Sequence, residues 1–164
     1  MAWKTLISPD LVVPGPVTQL SLDLLKERGI QGLILDLDDT LLALGQQIVN
    51  TEVVDWVARA RLDFRVWIVS NNPNRTFIES IAVSLSLPYV NQAAKPSRRA
   101  LRRVIEQMGL PHNQVAIVGD RLLTDILAGN RLGLLTVLVQ PPGPSHIIRG
   151  NLLRAAERLL FPQS

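Results

Sequence analysis

A short apolar run that ends in acidic residues constrains this chain more than any other feature. Leu33 to Leu35 lead directly into the pattern Asp36-x-Asp38-x-Thr40. A continuous apolar run is typical of a parallel strand buried on both faces, and active sites of open parallel sheets lie outside the carboxyl ends of their strands. Two carboxylates buried there repel each other and lose solvation unless a cation or a proton neutralises them. The pattern therefore predicts a divalent-metal site, with a plain acidic turn after a strand as the alternative.

Three later segments place further polar residues next to a predicted strand end or helix start. Their side chains are the types that phosphoryl chemistry requires, namely carboxylates, a small hydroxyl group and a lysine. Each segment lies where an α/β sheet places its chemistry. The residues are Ser70 and Asn71 after the run Val66–Val69, Lys95 before a predicted helix, and Asp120 and Asp125 after the run Val115–Val118.

Apolar runs that alternate with amphipathic stretches predict one α/β domain over residues 1–164. Strand-like runs separated by helix-like segments favour a three-layer fold with a mainly parallel, five-stranded sheet. Pro9, Pro14 and Pro16 predict an irregular N-terminal segment over residues 1–16. Apolar residues at helical spacing over 151–160 predict a final helix.

In this order and spacing, the polar residues resemble the four motifs of the haloacid dehalogenase (HAD) superfamily of phosphohydrolases. The stretches KERGI (26–30) and GDRLLTDILAGNRLG (119–133) resemble in addition its YqeG-type branch, HAD subfamily IIIA, which includes phosphatases of phosphatidylglycerophosphate. The resemblance implies a HAD-like Rossmannoid fold. The gaps between the first and second motifs and between the second and third each hold only one helix and its loops. The resemblance therefore also implies a capless enzyme with an open site. The motifs are Asp36-Leu37-Asp38-Asp39-Thr40, then Ser70, then Lys95, then Gly119-Asp120 with Asp125.

The resemblance further implies a Mg²⁺-dependent phosphomonoester hydrolase in which Asp36 is the nucleophile and forms an aspartyl-phosphate. Asp38 would protonate the leaving alkoxide and then activate water, and its main-chain carbonyl would bind the metal. Ser70 and Lys95 would contact the transferring phosphoryl oxygens. The metal ligands implied for Mg²⁺ are Asp36, Asp38, Asp120 and Asp125.

Several of these residues have a second interpretation. Asp125 would hold a metal-bound water or orient Lys95, or it is an acidic residue that favours the dipole of a helix N-terminus. Thr40 is expected to position its loop at the substrate, and Asn71 to donate a hydrogen bond to phosphate. Asp39 receives no catalytic role, although its charge could tune the acidic pair.

The helix predicted after Lys95 carries arginines along one side. Arg98 and Arg99 are followed one turn later by Arg102 and Arg103. One interpretation is a solvated helix face. The other is a basic rim that attracts an anionic substrate or an acidic lipid surface, with Arg98 and Arg99 as substrate-binding residues.

Composition excludes several other chemistries. The chain has no cysteine, which excludes a thiol nucleophile, a disulfide framework and Cys-based metal sites. No apolar run reaches the roughly 18 residues that span a bilayer, and 17 Lys and Arg against 14 Asp and Glu favour anionic partners. The resulting expectation is a cytoplasmic enzyme of a phosphomonoester, peripheral on the membrane if that substrate is an anionic phospholipid, and without a nucleic-acid partner.

Three functions compete for these residues. The first is a Mg²⁺-dependent phosphatase that acts on phosphatidylglycerophosphate or, alternatively, on a soluble phosphorylated metabolite. The second is a phospho-acceptor receiver domain, which is disfavoured because the second strand ends without the isolated acceptor Asp. The third is a non-enzymatic scaffold that binds RNA or ribosomes, which is disfavoured because the catalytic set is complete.

Overall fold

The computed structural model describes residues 3–142 and shows one parallel sheet. Its strands are β1 (Leu11–Val12), β2 (Gly32–Leu35), β3 (Arg65–Val69), β4 (Tyr89–Val90), β5 (Val115–Gly119) and β6 (Leu135–Leu138). They lie in the order β1-β6-β5-β2-β3-β4, and every neighbouring pair is parallel. The strand that leads into Asp36 therefore lies in the interior of the sheet, between β5 and β3.

The prediction of five strands was one short. The five predicted strands are present as β2 to β6, and the sixth, β1, lies in the segment 1–16 that was predicted to be irregular. That segment also contains the helix α1 (Trp3–Leu6). β1 is an edge strand that pairs only with β6. A two-residue strand is too short to produce a recognisable apolar pattern, and an edge position tolerates nearby prolines.

Helices cover both faces of the sheet and confirm the three-layer prediction. Alternate residues of a strand point to opposite faces. Leu33 and Leu35 accordingly pack in a core that includes the helices α3 (Thr51–Asp63) and α4 (Arg75–Leu85), whereas Ile34 packs in a second core that includes α5 (Arg99–Met108). The remaining helices are α2 (Leu22–Glu27) and α6 (Leu127–Leu132), with 3-10 turns at Val17–Gln19 and His112–Gln114 and a π-helix at Leu122–Ile126.

Strand register brings the ends of three central strands to one edge of the sheet. Leu35, the last residue of β2, pairs with residues near the ends of β3 and β5. Asp36, Ser70 and Asp120 follow these three strands directly, so they leave the sheet at the same side. We call this side the carboxyl edge, because the carboxyl ends of the strands form it.

Only short connections lie over the carboxyl edge in the part of the chain that the structure describes. The chain from β2 to β3 forms a loop and α3, and the chain from β3 to Lys95 forms α4, β4 and their loops. Neither connection holds an inserted domain, as predicted for a capless protein. Within residues 3–142, no helix is both long enough and apolar enough to cross a bilayer. The helix predicted over 151–160 lies outside the described residues.

Candidate active site

A buried lysine lies between two buried carboxylates at the carboxyl edge. Lys95 Nζ is 3.0 Å from Asp36 Oδ1 and 2.6 Å from Asp125 Oδ1, and the lysine side chain is only 2% exposed. The three residues come from distant parts of the chain: Asp36 follows β2, Lys95 precedes α5, and Asp125 lies in the π-helix. Burial alone would lower the pKa of Lys95, but the charges of Asp125 and Asp36 outweigh it and raise this pKa above its ordinary value. Lys95 is therefore positively charged at neutral pH.

Three carboxylates form a cluster that fits a metal ion. Asp36, Asp120 and Asp125 are buried, and one oxygen from each lies within 4.8 Å of the others. Lys95 supplies one positive charge against these three carboxylates, so the cluster is short of positive charge when all are ionised. Carboxylate oxygens are the ligands that Mg²⁺ prefers. The side chain of Asp38 is not in the cluster. Its predicted contact with the metal would therefore use the main-chain carbonyl, and that contact stays a prediction.

The pKa values of the cluster also favour a bound cation. Burial raises the pKa of Asp36 to about 6, against the opposing charge of Lys95. Burial, followed by the charges of Asp36 and other nearby carboxylates, raises the pKa of Asp120 to about 8. Without a metal, Asp120 is mostly protonated at neutral pH. A cation held among these oxygens would favour the ionised form of both residues.

A glycine makes room for Asp125. A Cβ atom built on Gly119, the last residue of β5, would lie 2.2 Å from Asp125 Oδ2, so any other residue there would displace the carboxylate. Asp125 lies in the π-helix Leu122–Ile126, and its Oδ2 accepts a hydrogen bond from the main-chain N–H of Arg121 at 3.4 Å. π-helical turns are rare and are often found at functional sites. Gly119 therefore has a steric role at the site.

Asn72 orients the predicted general acid. Asp38 is half-buried, and its Oδ2 accepts a hydrogen bond from Asn72 Nδ2 at 3.2 Å. The main-chain N–H of Asn72 in turn donates to Ser70 Oγ at 3.1 Å. Asn72 thus links two residues with predicted roles, and the sequence analysis assigned it none. Its position directly after the Ser70-Asn71 pair was the signal that could have revealed it.

Asn71 holds the main chain of Lys95. Its Oδ1 accepts from the Lys95 N–H at 2.7 Å, and its Nδ2 donates to the Lys95 carbonyl at 2.9 Å. Both polar atoms of the amide therefore bind the residue whose ammonium group reaches Asp36. Asn71 therefore positions Lys95. The second N–H of its amide could still donate the predicted hydrogen bond to phosphate, which stays a prediction.

Thr40 and Asp39 shape the loop after β2. Thr40 is fully buried, and its hydroxyl oxygen has no hydrogen-bond partner among residues 3–142. Asp39 has a φ of 62°, in the left-handed region, and its Oδ1 accepts from the Leu44 N–H at 3.0 Å. Its charge also contributes to the raised pKa of Asp120. Asp39 therefore has a structural role and an electrostatic effect on Asp120, whereas its suggested effect on the Asp36–Asp38 pair stays a prediction.

A small pocket at the carboxyl edge brings five of the ten predicted site residues together. The predicted nucleophile, the predicted general acid and both predicted phosphoryl contacts line it. Arg121 and Thr124 also line it, although neither was predicted; the position of Arg121 directly after Asp120 was the available signal. The lining residues are Asp36, Asp38, Ser70, Asn71, Asn72, Lys95, Arg121 and Thr124.

The predicted substrate-binding arginines lie outside this pocket. Arg98 and Arg99 line a separate surface depression. They are not among the residues that line the pocket of Asp36 and Lys95. Their role in substrate binding therefore stays a prediction. We call this feature the arginine depression; its lining residues are Ser97, Arg98, Arg99, Arg102, Arg103, Glu106 and Arg131.

Sequence comparisons agree with the geometry of the site. Residues 92–141 match a family model described as HAD-hydrolase-like. The chain is 33% identical over 159 residues to "Probable phosphatase YqeG" of Bacillus subtilis (strain 168), a match that covers 96% of this chain and 91% of that protein. It is 31% identical over 147 residues to the chloroplastic phosphatidylglycerophosphate phosphatase 1 of Chlamydomonas reinhardtii, a match that covers 84% of this chain and 54% of that protein. The chain thus spans about half the length of the algal relative.

Solved structures share the fold. A HAD-like family hydrolase from Porphyromonas gingivalis superposes with a TM-score of 0.58 at 13% identity, over 77% of this chain and 98% of that one. The 3-deoxy-D-manno-octulosonate 8-phosphate phosphatase of Moraxella catarrhalis, solved with magnesium and phosphate ions, superposes with a TM-score of 0.50 at 15% identity, over 87% of this chain and 92% of that one. At such identities the likeness supports the fold alone.

The fold, the buried lysine between its carboxylates and the matched relatives together define a class of enzyme, and this chain belongs to the HAD-like phosphatases. Within that class it is similar over nearly its whole length to the YqeG phosphatase of Bacillus subtilis. Membership of this class favours the enzyme over the receiver domain and over the non-enzymatic scaffold.

Proposed function

We propose that the protein is a Mg²⁺-dependent phosphomonoesterase that works through a phosphorylated Asp36. The observation that supports this most is the buried contact of Lys95 with both Asp36 and Asp125, beside a third carboxylate, Asp120. Such a concentration of buried charge is costly for folding and is typical of functional sites. With a pKa of about 6, Asp36 is largely ionised at neutral pH, as a nucleophile must be.

In the first step, an oxygen of Asp36 attacks phosphorus, and the bond to the leaving alkoxide breaks. Asp38, which Asn72 holds at the pocket, donates a proton to that alkoxide. In the second step, Asp38 takes a proton from water, and the water attacks phosphorus and releases phosphate and ionised Asp36. Ser70 and Lys95, which both line the pocket, would bind the phosphoryl oxygens while negative charge spreads over them.

The donor set at the carboxyl edge matches the proposed metal. Asp36, Asp120 and Asp125, with the main-chain carbonyl of Asp38, would hold Mg²⁺. When bound, Mg²⁺ supplies positive charge that stabilises the transferring phosphoryl group.

We propose phosphatidylglycerophosphate as the substrate. The algal relative is a phosphatidylglycerophosphate phosphatase, the described connections over the carboxyl edge hold no cap, and a basic depression lies close to Lys95 in the chain. A site without a lid leaves room for a head group that is still attached to its bilayer. A soluble phosphorylated metabolite is the alternative substrate class.

A substrate panel tests both the proposed Mg²⁺-dependent phosphomonoesterase activity and the proposed lipid substrate. Purified full-length protein would be assayed with p-nitrophenyl phosphate, soluble sugar phosphates and phosphatidylglycerophosphate in detergent micelles, each with Mg²⁺ and with EDTA. We expect turnover only with Mg²⁺ and the highest kcat/KM for the lipid. Acid quenching with ³²P-labelled substrate should trap a hydroxylamine-sensitive phosphoprotein. Activity in EDTA would contradict the metal requirement, and faster turnover of a sugar phosphate by orders of magnitude would contradict the lipid.

A further inference from the structure

Three strongly exposed apolar side chains lie at the carboxyl edge. Leu44 and Ile48, in the loop after β2, are 64% and 82% exposed, and Leu123, in the π-helix after β5, is 65% exposed. Because β2 and β5 are neighbouring strands, the two segments leave the sheet side by side. Leu123 directly precedes Thr124, which lines the active-site pocket. These three side chains are not among the lining residues of that pocket, so its chemistry does not explain their exposure.

Unpaired positive charge lies in the arginine depression, along α5 and at the end of α6. The arginine depression begins two residues after Lys95 and has five arginines but a single acid, Glu106. Arg131 Nη1 donates to the carbonyl of Pro96 at 3.3 Å, which attaches α6 to the connection that carries Lys95. Within residues 3–142, none of the five arginines takes part in a salt bridge. Their charge is therefore available to an anionic partner.

We propose that the carboxyl edge is a membrane-docking surface: Leu44, Ile48 and Leu123 insert into the surface of an anionic phospholipid bilayer, and Arg98 and Arg99, at the N-terminal end of α5 close to Lys95, bind the head groups. Surfaces that combine exposed apolar side chains with clustered arginine partition into anionic interfaces. The inference rests on the proposed lipid substrate, since docking at this edge would turn the open pocket towards the bilayer. Glu52, the exposed acid at the start of α3, opposes this attraction, and so do the carboxylates of the pocket until Mg²⁺ neutralises them.

The chain provides matched control positions at the opposite edge of the sheet. Leu62 is 82% exposed, the same value as Ile48, and Val83 is 71% exposed. Both lie near the C-terminal ends of α3 and α4, just before the next strand begins, and so far from the carboxyl edge. If exposure alone determined binding to vesicles, the residues at both edges would contribute equally. Docking through the carboxyl edge predicts that only Leu44, Ile48 and Leu123 contribute.

The first experiment uses the absence of cysteine from the chain. Single-cysteine variants Ile48→Cys and Leu62→Cys would be labelled with an environment-sensitive fluorophore and mixed with phosphatidylglycerol–phosphatidylcholine vesicles that contain no substrate. We expect a blue shift and higher emission from position 48 and no change from position 62. Equal responses at both positions, or no response at either, would overturn the proposal.

The second experiment measures vesicle affinity by flotation. We expect the triple variant Leu44→Ser, Ile48→Ser, Leu123→Ser to bind at least about tenfold more weakly than the wild type, and the double variant Leu62→Ser, Val83→Ser to bind as the wild type does. Turnover of p-nitrophenyl phosphate should be unchanged in both variants. Equal affinity of the two variants, or no binding of the wild type, would mean that the exposed side chains serve another partner, such as a protein.

The proposed enzyme and the proposed docking surface can be contradicted separately. Wild-type protein that lacks Mg²⁺-dependent hydrolysis of p-nitrophenyl phosphate would contradict the proposed enzyme. Protein that hydrolyses this substrate and micellar lipid, yet does not bind vesicles, would contradict only the docking surface.

Discussion

Lys95 and Asp125 form the shortest ion pair within residues 3–142, with 2.6 Å between Nζ and Oδ1 and side chains that are 2% and 1% exposed. Asp125 is thus buried against the lysine, and this contact favours the interpretation that it orients Lys95 over that of an acid that only favours the dipole of a helix N-terminus. Since Lys95 also contacts Asp36, it joins the proposed nucleophile to Asp125 within the cluster of three carboxylates.

We expect Asp36→Asn to lower turnover at least about a thousandfold, because an amide is nearly isosteric with the carboxylate but is not a nucleophile. The amide oxygen can still accept a hydrogen bond from Lys95, so the variant should fold. Steady-state assays and the acid-quench trapping measure the loss. Asp63→Asn, which removes an exposed carboxylate paired with Lys26, is the control and should keep full activity. Comparable turnover by folded Asp36→Asn would rule out covalent catalysis through this residue.

The stability of the metal-free protein should fall as pH rises from about 5 to 8. Asp36 and Asp120 have pKa values of about 6 and about 8 in the folded state, above the ordinary 3.8. The folded state therefore binds more protons than the unfolded state in this range, and the free energy of unfolding declines by an amount on the order of a few kcal/mol. Mg²⁺ should remove most of the decline and release protons when it binds at pH 7.

Urea unfolding at pH 5.5 and pH 8, in EDTA and in Mg²⁺, measures this effect. Asp120→Asn is the informative variant, because the pKa of Asp120 is higher than that of Asp36. Its removal should flatten the pH dependence of the free energy of unfolding in EDTA. A wild-type protein that is more stable at pH 8 than at pH 5.5 without metal would show that the cluster is not short of positive charge.

Gly119→Ala should impair the site through Asp125. The added methyl group would lie 2.2 Å from Asp125 Oδ2, so the carboxylate must move away from Lys95 or from the metal site. We expect a loss of Mg²⁺ affinity and at least about a tenfold loss of turnover, together with lower stability. Gly129→Ala is the matched control, since its methyl group would clash with Ile117 in the core. That variant should lose stability and keep its Mg²⁺ affinity; equal effects on metal binding would argue against a specific role for Gly119.

Asn71→Ala should lower kcat by about 10- to 100-fold by releasing the main chain of Lys95, since small displacements of a catalytic group have effects of this size. The pH profile should keep its shape, because Asn71 does not titrate. Asn74→Ala removes a helix-capping asparagine that contacts Phe77, and it should cost stability without this loss of kcat. An Asn71→Ala enzyme with wild-type kcat would show that Lys95 is positioned without the amide.

Reversing the charges of Arg98, Arg99, Arg102 and Arg103 to Glu should weaken action on anionic liposomes far more than on p-nitrophenyl phosphate. Basic residues near an anionic membrane contribute roughly 1 kcal/mol each, and all four lie in the arginine depression. The charge-matched control reverses exposed cations elsewhere, namely Lys4, Arg28, Arg59 and Arg61. Equal losses on both substrates would argue that the arginines act on the site itself.

Local pattern determined most of the fold and the core of the site. Apolar runs identified β2 to β6 because a buried strand needs a continuous apolar stretch, and the polar residues after them converged because parallel strands end at one edge. The convergence of Asp36, Asp38, Ser70 and Asp120 could be predicted for this reason, whereas Lys95 was predicted from its position before a helix and the roles of all five from the family resemblance. A two-residue edge strand such as β1 has no such pattern, so it was missed.

Tertiary structure alone decided which groups touch. The hydrogen bonds of Asn71 to Lys95 and of Asn72 to Asp38 join residues 24 and 34 positions apart, and the close approach of Gly119 to Asp125 depends on a π-helical turn that no residue pattern announces. The raised pKa values of Asp36 and Asp120 likewise require burial beside other charges. Sequence determined which residue types follow each strand, because that order is local; their distances, burial and charge interactions were decided by packing, because those depend on residues far apart in the chain.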